Sequence, residues 1–407
     1  MKTLPALWQN VTLLMPGNRG ESSDGKVNST ENSEEPALNH WPFVNQWVAT
    51  AKKPGILTLA IKKGYAPFNR KDYNGYDKPF MNRSLSVIIC THNPRRDYLE
   101  RTLNALKAQT LPMAEWELLL VDNASKEPVA GNFDLSWHGR GRHIREDELG
   151  LTAARRRGIK ESEGEVLLFV DDDNVLAADY LEQTLKIGRS SDFIGAWGPC
   201  IELEFEIEPP PWTRQFWSYL TMRSVPRSVW SNVTTDYILI PYGAGISVRR
   251  KVAEAYARKL ETDEHARKLG RKGNALTSCE DTDMVLTACD LGYGYGIFVE
   301  LRLLHLIHKG RLTEDYLLRL VEESTFSLSM LQARRNGAPP AILFKPWWRR
   351  KLGALRRRLM MRRIDRLAME AYMRGSEKAI AIINETSAEF SRGPQRKSDM
   401  SYVPWRS

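Results

Sequence analysis

Three apolar runs of strand length set the terms for any fold this chain can adopt. They are Leu85-Ser-Val-Ile-Ile-Cys-Thr91, Trp116-Glu-Leu-Leu-Leu-Val121 and Val166-Leu-Leu-Phe-Val170. Continuous rather than alternating apolar character marks strands covered on both faces. Helical patterns lie between and after them. Leu99, Leu103 and Leu106 follow Asp97 and Glu100, whose D-x-x-E spacing predicts a capping box. Residues 151–160 and 180–187 also read as helices. Strands alternating with helices imply βαβ units and right-handed crossovers. The expectation is an α/β, Rossmann-like, mostly parallel sheet flanked by helices.

The three strands end alike. Thr91, His92 and Asn93 follow the first, Asp122, Asn123 and Ser125 the second, and Asp171, Asp172 and Asp173 the third. In open parallel sheets ligands bind beyond the carboxyl ends of the strands, so these polar ends are placed to converge. Adjacent carboxylates repel, and burying them unpaired is costly. A hard divalent cation such as Mg²⁺ or Mn²⁺, bound through one or two carboxylates and phosphate oxygens, removes that cost. The bland alternative is a solvated acidic turn; its position after a buried strand, beside two other polar ends, favours the metal.

Further segments carry weaker signals. Glu280 and Asp281 stand where apolar helical periodicity begins, so they serve either as helix-terminal capping acids or as a general base at the mouth of a site. Gly243-Ala-Gly245 is a tight turn or a place of close ligand approach, and it lacks the third glycine of a dinucleotide fingerprint. His305 and His308 are structural in the first instance; His305 is the candidate to complete a metal shell.

Charge is local. Ten basic residues lie between Lys345 and Arg366 against the single acid Asp365, which accounts for the whole net charge of +9. A globally basic nucleic-acid binder is therefore not indicated. The helix expected over 347–372 is either packed with a solvated basic face, or the segment 345–372 anchors on anionic lipid. Cys90, Cys200, Cys279 and Cys289 form no zinc spacing. No run reaches the length of a membrane span, and the chain is expected to be cytoplasmic, with attachment to the inner face of the cell membrane under the anchor reading. Residues 17–39 have linker composition. The expected division is an N-terminal extension over 1–84, a catalytic domain over 85–323 and a helical, basic C-terminal region over 324–407.

In order and spacing these segments resemble the inverting glycosyltransferases of family 2, which have the GT-A fold. Val87-Ile-Ile-Cys-Thr-His-Asn93, Leu119-Leu-Val-Asp-Asn-Ala-Ser125, Gly150-Leu-Thr-Ala-Ala-Arg-Arg-Arg-Gly158, Phe169-Val-Asp-Asp-Asp-Asn174, Gly243-Ala-Gly245 with Arg249, and Glu280-Asp281 carry the resemblance. It implies a nucleoside diphosphate sugar donor, a UDP-sugar before others, and a glycan or lipid-linked acceptor. Asp171 and Asp173 would hold Mg²⁺ or Mn²⁺, His305 being a candidate ligand beside what the resemblance implies. Thr91, His92, Asn93, Asp122, Asn123, Arg155, Asp171, Asp172, Gly243 and Gly245 would line the donor site. Asp281 would be the base, with Glu280 beside it, in a single inverting displacement. Asn123 stands where the family commonly has a second acid.

Competing classes fit less well. A sugar-phosphate nucleotidyltransferase would show a glycine-rich loop after the first strand, where this chain has Thr91-His-Asn-Pro-Arg-Arg96. An aspartyl phosphatase would carry its acids on the first strand. A non-catalytic membrane or nucleic-acid adaptor on a GT-A-like fold would have no need of all three acid positions.

Overall fold

The computed structural model describes residues 13–14, 84–235, 237–273, 275–336 and 361–385. The chain divides into a unit of Met1–Met15 with Asn82–Ser407 and a unit of Pro16–Met81, and every described residue belongs to the first. The expected linker over 17–39 and the basic segment over 345–360 lie outside the described residues.

The elements run β1 (Leu85–Thr91), α1 (Arg96–Lys107), β2 (Trp116–Asn123), β3 (Gly141–Glu146), α2 (Leu151–Glu161), β4 (Val166–Asp171), β5 (Asn174–Leu176), α3 (Tyr180–Ser190) and β6 (Ile194–Phe205). Then follow β7 (Val229–Ser231), β8 (Ile246–Arg249), α4 (Arg250–Thr262), α5 (Glu264–Lys268), α6 (Glu280–Asp290), β9 (Gly294–Ile307), α7 (Glu314–Asn336) and α8 (Arg363–Glu385).

The three apolar runs form the centre of the sheet. β3, β2, β1 and β4 lie side by side and parallel. Their side chains alternate between two cores, as a strand period of two requires. Leu85, Val87, Ile89, Leu118, Leu120, Leu168 and Val170 face one layer with Leu99, Leu106 and Leu185 of α1 and α3. Ile88, Leu119, Val121, Leu167 and Phe169 face the other, with Ile159, Tyr256 and Val285 of α2, α4 and α6. Burial on both sides is what made the runs continuous.

The sheet continues as β8, β6, β9 and β7, with Leu13–Leu14 antiparallel at its edge. β8 is antiparallel to both β4 and β6, and β9 is parallel to β6. The sheet is thus mixed, its parallel half carrying the three polar strand ends. β5 pairs with β9, setting His305 opposite Asn174. This is an α/β fold of the GT-A kind.

Two local expectations change. Asp97 is not a cap: it lies inside α1 and pairs with Arg95, the residue before the helix, at 2.6 Å. The boundary expected at 323 falls within α7, because the helix that begins after the Thr313 hydroxyl runs unbroken to Asn336. α8 packs on α7 through Ala371, Ala379 and Ile383. A Cβ on Gly375 would stand 2.2 Å from the Glu322 carbonyl oxygen, so the close approach of the helices requires glycine there. Arg363, Arg374 and Lys378 pair with Glu314, Glu322 and Glu323. The described part of the basic region is therefore a packed helix. Among the described residues no helix is long and apolar enough to cross a membrane.

Candidate active site

Parallel register brings the strand ends level: Thr91 lies beside Asp122, and Cys90 beside Asp171. The turns after β1 and β2 lock together. The Asn93 amide donates to Ser125 Oγ at 2.9 Å, and the Lys126 amide to Asn93 Oδ1 at 2.9 Å. His92 Nδ1 lies 2.6 Å from the Asn123 carbonyl oxygen. His92 and Asn93 are exposed at the mouth of the site.

Other residues expected to contact the nucleotide are occupied by the protein itself. The buried Asp122 carboxylate accepts from the amides of Ser125 (3.1 Å) and Val129 (3.2 Å) and from Arg145 Nη1 (2.6 Å). These partners outweigh its desolvation and hold its pKa low. Asn123, also buried, donates to the Glu148 carbonyl at 2.7 Å and accepts from the Gly150 amide at 2.8 Å. The structure thus ties Asp122 to the turn after β2 and to Arg145 of β3, and Asn123 to the loop before α2. The Thr91 hydroxyl is buried and donates to Asp172 Oδ2.

The three aspartates differ in environment. Burial raises the pKa of Asp171, against the lowering effect of Arg155. Burial and the neighbouring Asp173 push Asp172 up to about 7. Asp173 is desolvated too, but His305 and Arg311 outweigh this and bring it down to about 2. Its Oδ2 lies 3.2 Å from His305 Nε2 and 3.3 Å from Arg311 Nη1.

Arg155 joins this cluster to the other acids. Its guanidinium, 2% exposed, lies 3.1 Å from Glu280 Oε1 and 3.7 Å from Asp171 Oδ1. A Cβ on Gly243 would stand 2.5 Å from Arg155 Nη2. Gly243 is therefore small to admit Arg155. Gly245, at φ +71, is hemmed in by the Tyr180 hydroxyl, 2.7 Å from where its Cβ would be. Both glycines accommodate protein groups, where close approach of a ligand was expected.

Glu280 and Asp281 open α6, as their sequence setting suggested, but neither caps it. The residue before the helix, Cys279, is left-handed with φ 77 and makes no side-chain cap. The two carboxylates then divide. Glu280 is buried, and burial with the neighbouring Asp281 pushes its pKa up to about 7. It holds Arg155 and stands back from solvent, a positioning role in place of the direct one expected. Asp281 is half-buried. Its Oδ2 accepts from the Gly243 amide at 2.7 Å and its Oδ1 from the Thr282 amide at 2.7 Å. Two backbone amides thus aim one accessible carboxylate.

Three site residues were invisible in sequence. Thr221, left-handed at φ 71, sets its Oγ1 2.8 Å from His305 Nδ1, which also lies 3.0 Å from the Leu220 carbonyl oxygen. Arg311 is buried against Asp173 and His305. Arg271 follows Gly270 (φ +89), whose absent Cβ makes room for the Thr152 hydroxyl, 2.7 Å from where it would stand, and for the Glu280 side chain at 3.3 Å. Arg271 is exposed, yet its guanidinium is drawn in among Tyr316, Asp171, Asp173 and Glu280, which outweigh its desolvation and raise its pKa. Among the described residues the four non-glycine residues with positive φ, Asn93, Ala124, Thr221 and Cys279, all adjoin this site, the clustering of backbone strain expected of functional sites. His308 takes no part in it and accepts from the Gly310 amide.

The carboxyl groups of Asp171, Asp173, Glu280 and Asp281 face three guanidiniums (Arg155, Arg271, Arg311), while Asp172 accepts from the Thr91 hydroxyl. Among the described residues no three His, Cys, Asp or Glu side chains form a ready cage for a metal. Mg²⁺ and Mn²⁺ need none when phosphate oxygens complete the shell. The donor set around Asp171, Asp173 and His305 Nε2 fits such an ion, and the Nδ1 contact with the Leu220 carbonyl is the second hydrogen bond that orients a ligating imidazole.

The chain is similar to known proteins over part of its length. The profile of glycosyl transferase family 2 matches residues 86–256, a segment that holds the three strand ends and Gly243 but stops before Glu280. Glycosyltransferase AglE of Haloferax volcanii is 32% identical over 116 residues, 27% of this chain and 38% of its own. Succinoglycan biosynthesis protein ExoM of Rhizobium meliloti is 25% identical over 210 residues, 49% of this chain and 59% of its own. Poly(ribitol-phosphate) beta-N-acetylglucosaminyltransferase TarP of Staphylococcus aureus is 26% identical over 122 residues, 28% of this chain and 37% of its own. In each case this chain spans less than two thirds of the relative's length.

Proposed function

We propose that this chain, a member of glycosyl transferase family 2 through residues 86–256, moves a sugar from a nucleoside diphosphate donor to a glycan hydroxyl with inversion. The observation that carries the reading is Arg155. By bridging Asp171 and Glu280 it makes one site of the aspartate triplet and the Glu280-Asp281 pair. A diphosphate-binding corner and an aimed carboxylate are what a single displacement at an anomeric carbon needs.

In this reading Asp281 takes the proton of the acceptor hydroxyl as that oxygen attacks the anomeric carbon. The Gly243 and Thr282 amides hold its two oxygens in place. Asp171, Asp173 and His305 would hold Mg²⁺ or Mn²⁺. When bound, that ion supplies the positive charge that stabilises the leaving diphosphate. Arg271 faces the same acids and would receive diphosphate oxygens. The exposed edges of His92 and Asn93 are left to meet the nucleoside, with uridine the first to test. The names of relatives that build succinoglycan or modify poly(ribitol-phosphate) support a polysaccharide or lipid-linked acceptor. Attachment to the inner face of the cell membrane would rest on 345–372, of which 345–360 lie outside the described residues.

The test is Asp281→Asn, which keeps the shape of the side chain and removes its basicity. Transfer should fall by about two to four orders of magnitude, while calorimetric affinity for donor nucleotide stays within about threefold of wild type. Near-wild-type turnover would end the assignment.

A further inference from the structure

Arg311 is the feature that the transfer reading leaves unused, and its position is unusual. It lies in the 3₁₀ turn Lys309–Leu312, yet its side chain is buried, at 5% exposure for the residue. Its Nη1 stands 3.0 Å from His305 Nε2 and 3.3 Å from Asp173 Oδ2. These are the two atoms that would ligate a metal from this side of the site. Its Nε is buried without a hydrogen-bond partner among the described residues. A guanidinium leaves a buried donor unmatched only at a cost, so the site holds Arg311 by charge and not by full hydrogen bonding.

We propose that Arg311 is a displaceable counter-cation: it neutralises the Asp173–His305 pair in the metal-free protein, and must withdraw for a divalent ion to bind. This rests on the metal reading given above and adds a property to it. A guanidinium and a divalent ion cannot share the same two ligand atoms. Like charges at such separations repel strongly, the more so where water is scarce. Free protein therefore binds metal weakly. A nucleoside diphosphate changes the balance by bringing two kinds of partner: oxygens to complete the ion's shell and an anion to receive the displaced guanidinium. Arg311 thereby couples metal entry to donor entry. The turn that carries it leads directly into α7, whose first residue follows at Glu314.

The neighbours argue for withdrawal of Arg311 and against movement of the acids. Asp173 is fixed by Asn174, whose Nδ2 donates to its Oδ1 at 3.0 Å. His305 is fixed from behind by Thr221 and the Leu220 carbonyl. Arg311, with a long side chain and one unmatched donor, is the least constrained member of the three.

Calorimetric titration of Mn²⁺ into the full chain, without nucleotide, tests this directly. Arg311→Met should bind Mn²⁺ roughly tenfold or more tightly than wild type, since one opposing charge beside a divalent ion is worth at least that factor. Arg311→Lys, which keeps the charge, should stay near wild type. Should the Met variant fail to fold, Arg311→Gln carries the same expectation. In thermal unfolding, Arg311→Met should be less stable than wild type without metal and should regain more on adding Mn²⁺. A variant that loses stability but binds Mn²⁺ no more tightly has lost only a structural arginine, and the proposal is overturned. Mn²⁺ titrations in the presence of UDP, GDP, CDP and dTDP separate the two levels. Absence of metal binding in all of them would remove the metal reading itself. Nucleotide-dependent metal binding in both proteins, with Mn²⁺ alone binding no more tightly to Arg311→Met than to wild type, would remove the counter-cation alone.

Discussion

Replacing Arg155 by methionine should reveal how the two acid clusters are held together. Arg155 and Glu280 are 2% and 6% exposed, with nitrogen and oxygen 3.1 Å apart. Removing one partner of so buried a pair costs about 3–5 kcal/mol, because the other charge is left without compensation. At about 2 °C per kcal/mol for a domain of this size, the melting temperature should drop by about 6–10 °C. The loss should depend on pH. Burial and Asp281 already push Glu280 up to about 7, and without Arg155 its pKa rises further. The folded variant then holds a proton that folded wild type releases above about 7, so the variant loses stability relative to wild type as pH rises through and beyond that value. Below about pH 5.5 Glu280 is protonated in both proteins, and its share of the loss fades. Chemical unfolding of wild type, Arg155→Met, Glu280→Gln and the double variant, at pH 5.5 and 8 without metal, gives the coupling. The double variant should be more stable than the sum of the single losses predicts, by about 2 kcal/mol at pH 8. Additive losses, or an Arg155→Met cost under about 1 kcal/mol that ignores pH, would refute the reasoning.

Two further outcomes follow from the same structure. Asp283, buried at 1% exposure, pairs with Lys259 and Arg335, which outweigh its desolvation and lower its pKa. Its contribution is fully present above the unfolded carboxyl value of about 3.9 and is lost as pH falls through the lower folded value. Asp283→Asn should cost about 3 kcal/mol at pH 7, and less at pH 3, in denaturant titrations. Arg271→Met should raise the KM for donor about tenfold with a smaller change in kcat, because Arg271 is an exposed residue whose guanidinium faces Asp171, Asp173 and Glu280. An unchanged KM would remove Arg271 from the donor site.

What could be read in the sequence was set by the range of each interaction. β1, β2 and β4 were legible because burial on both faces leaves an unbroken apolar run, and their polar ends follow one residue later. The order of the site motifs was legible for the same reason. Side-chain roles were not. Asp122 and Asn123 look like binding residues, but Asp122 is held by Arg145 of β3 and Asn123 by the loop before α2, through contacts some twenty residues away. Gly243 marked a close approach correctly, although the group approaching is Arg155, far earlier in the chain. Arg311 meets Asp173 only because β5 pairs with β9 and carries the triplet alongside His305. No local pattern encodes such a meeting. The capping box at Asp97 failed because Arg95, two residues before it, offers a stronger partner than an amide.

The most direct test of the central claim is calorimetric titration of UDP, GDP, CDP and dTDP into the wild-type chain, Asp173→Ala and Asp281→Asn, each with and without Mn²⁺. The account predicts one preferred nucleotide whose binding requires metal, is lost in Asp173→Ala and survives in Asp281→Asn. Metal-independent binding that persists in Asp173→Ala, or no nucleotide binding by the wild-type chain under any of these conditions, would contradict it.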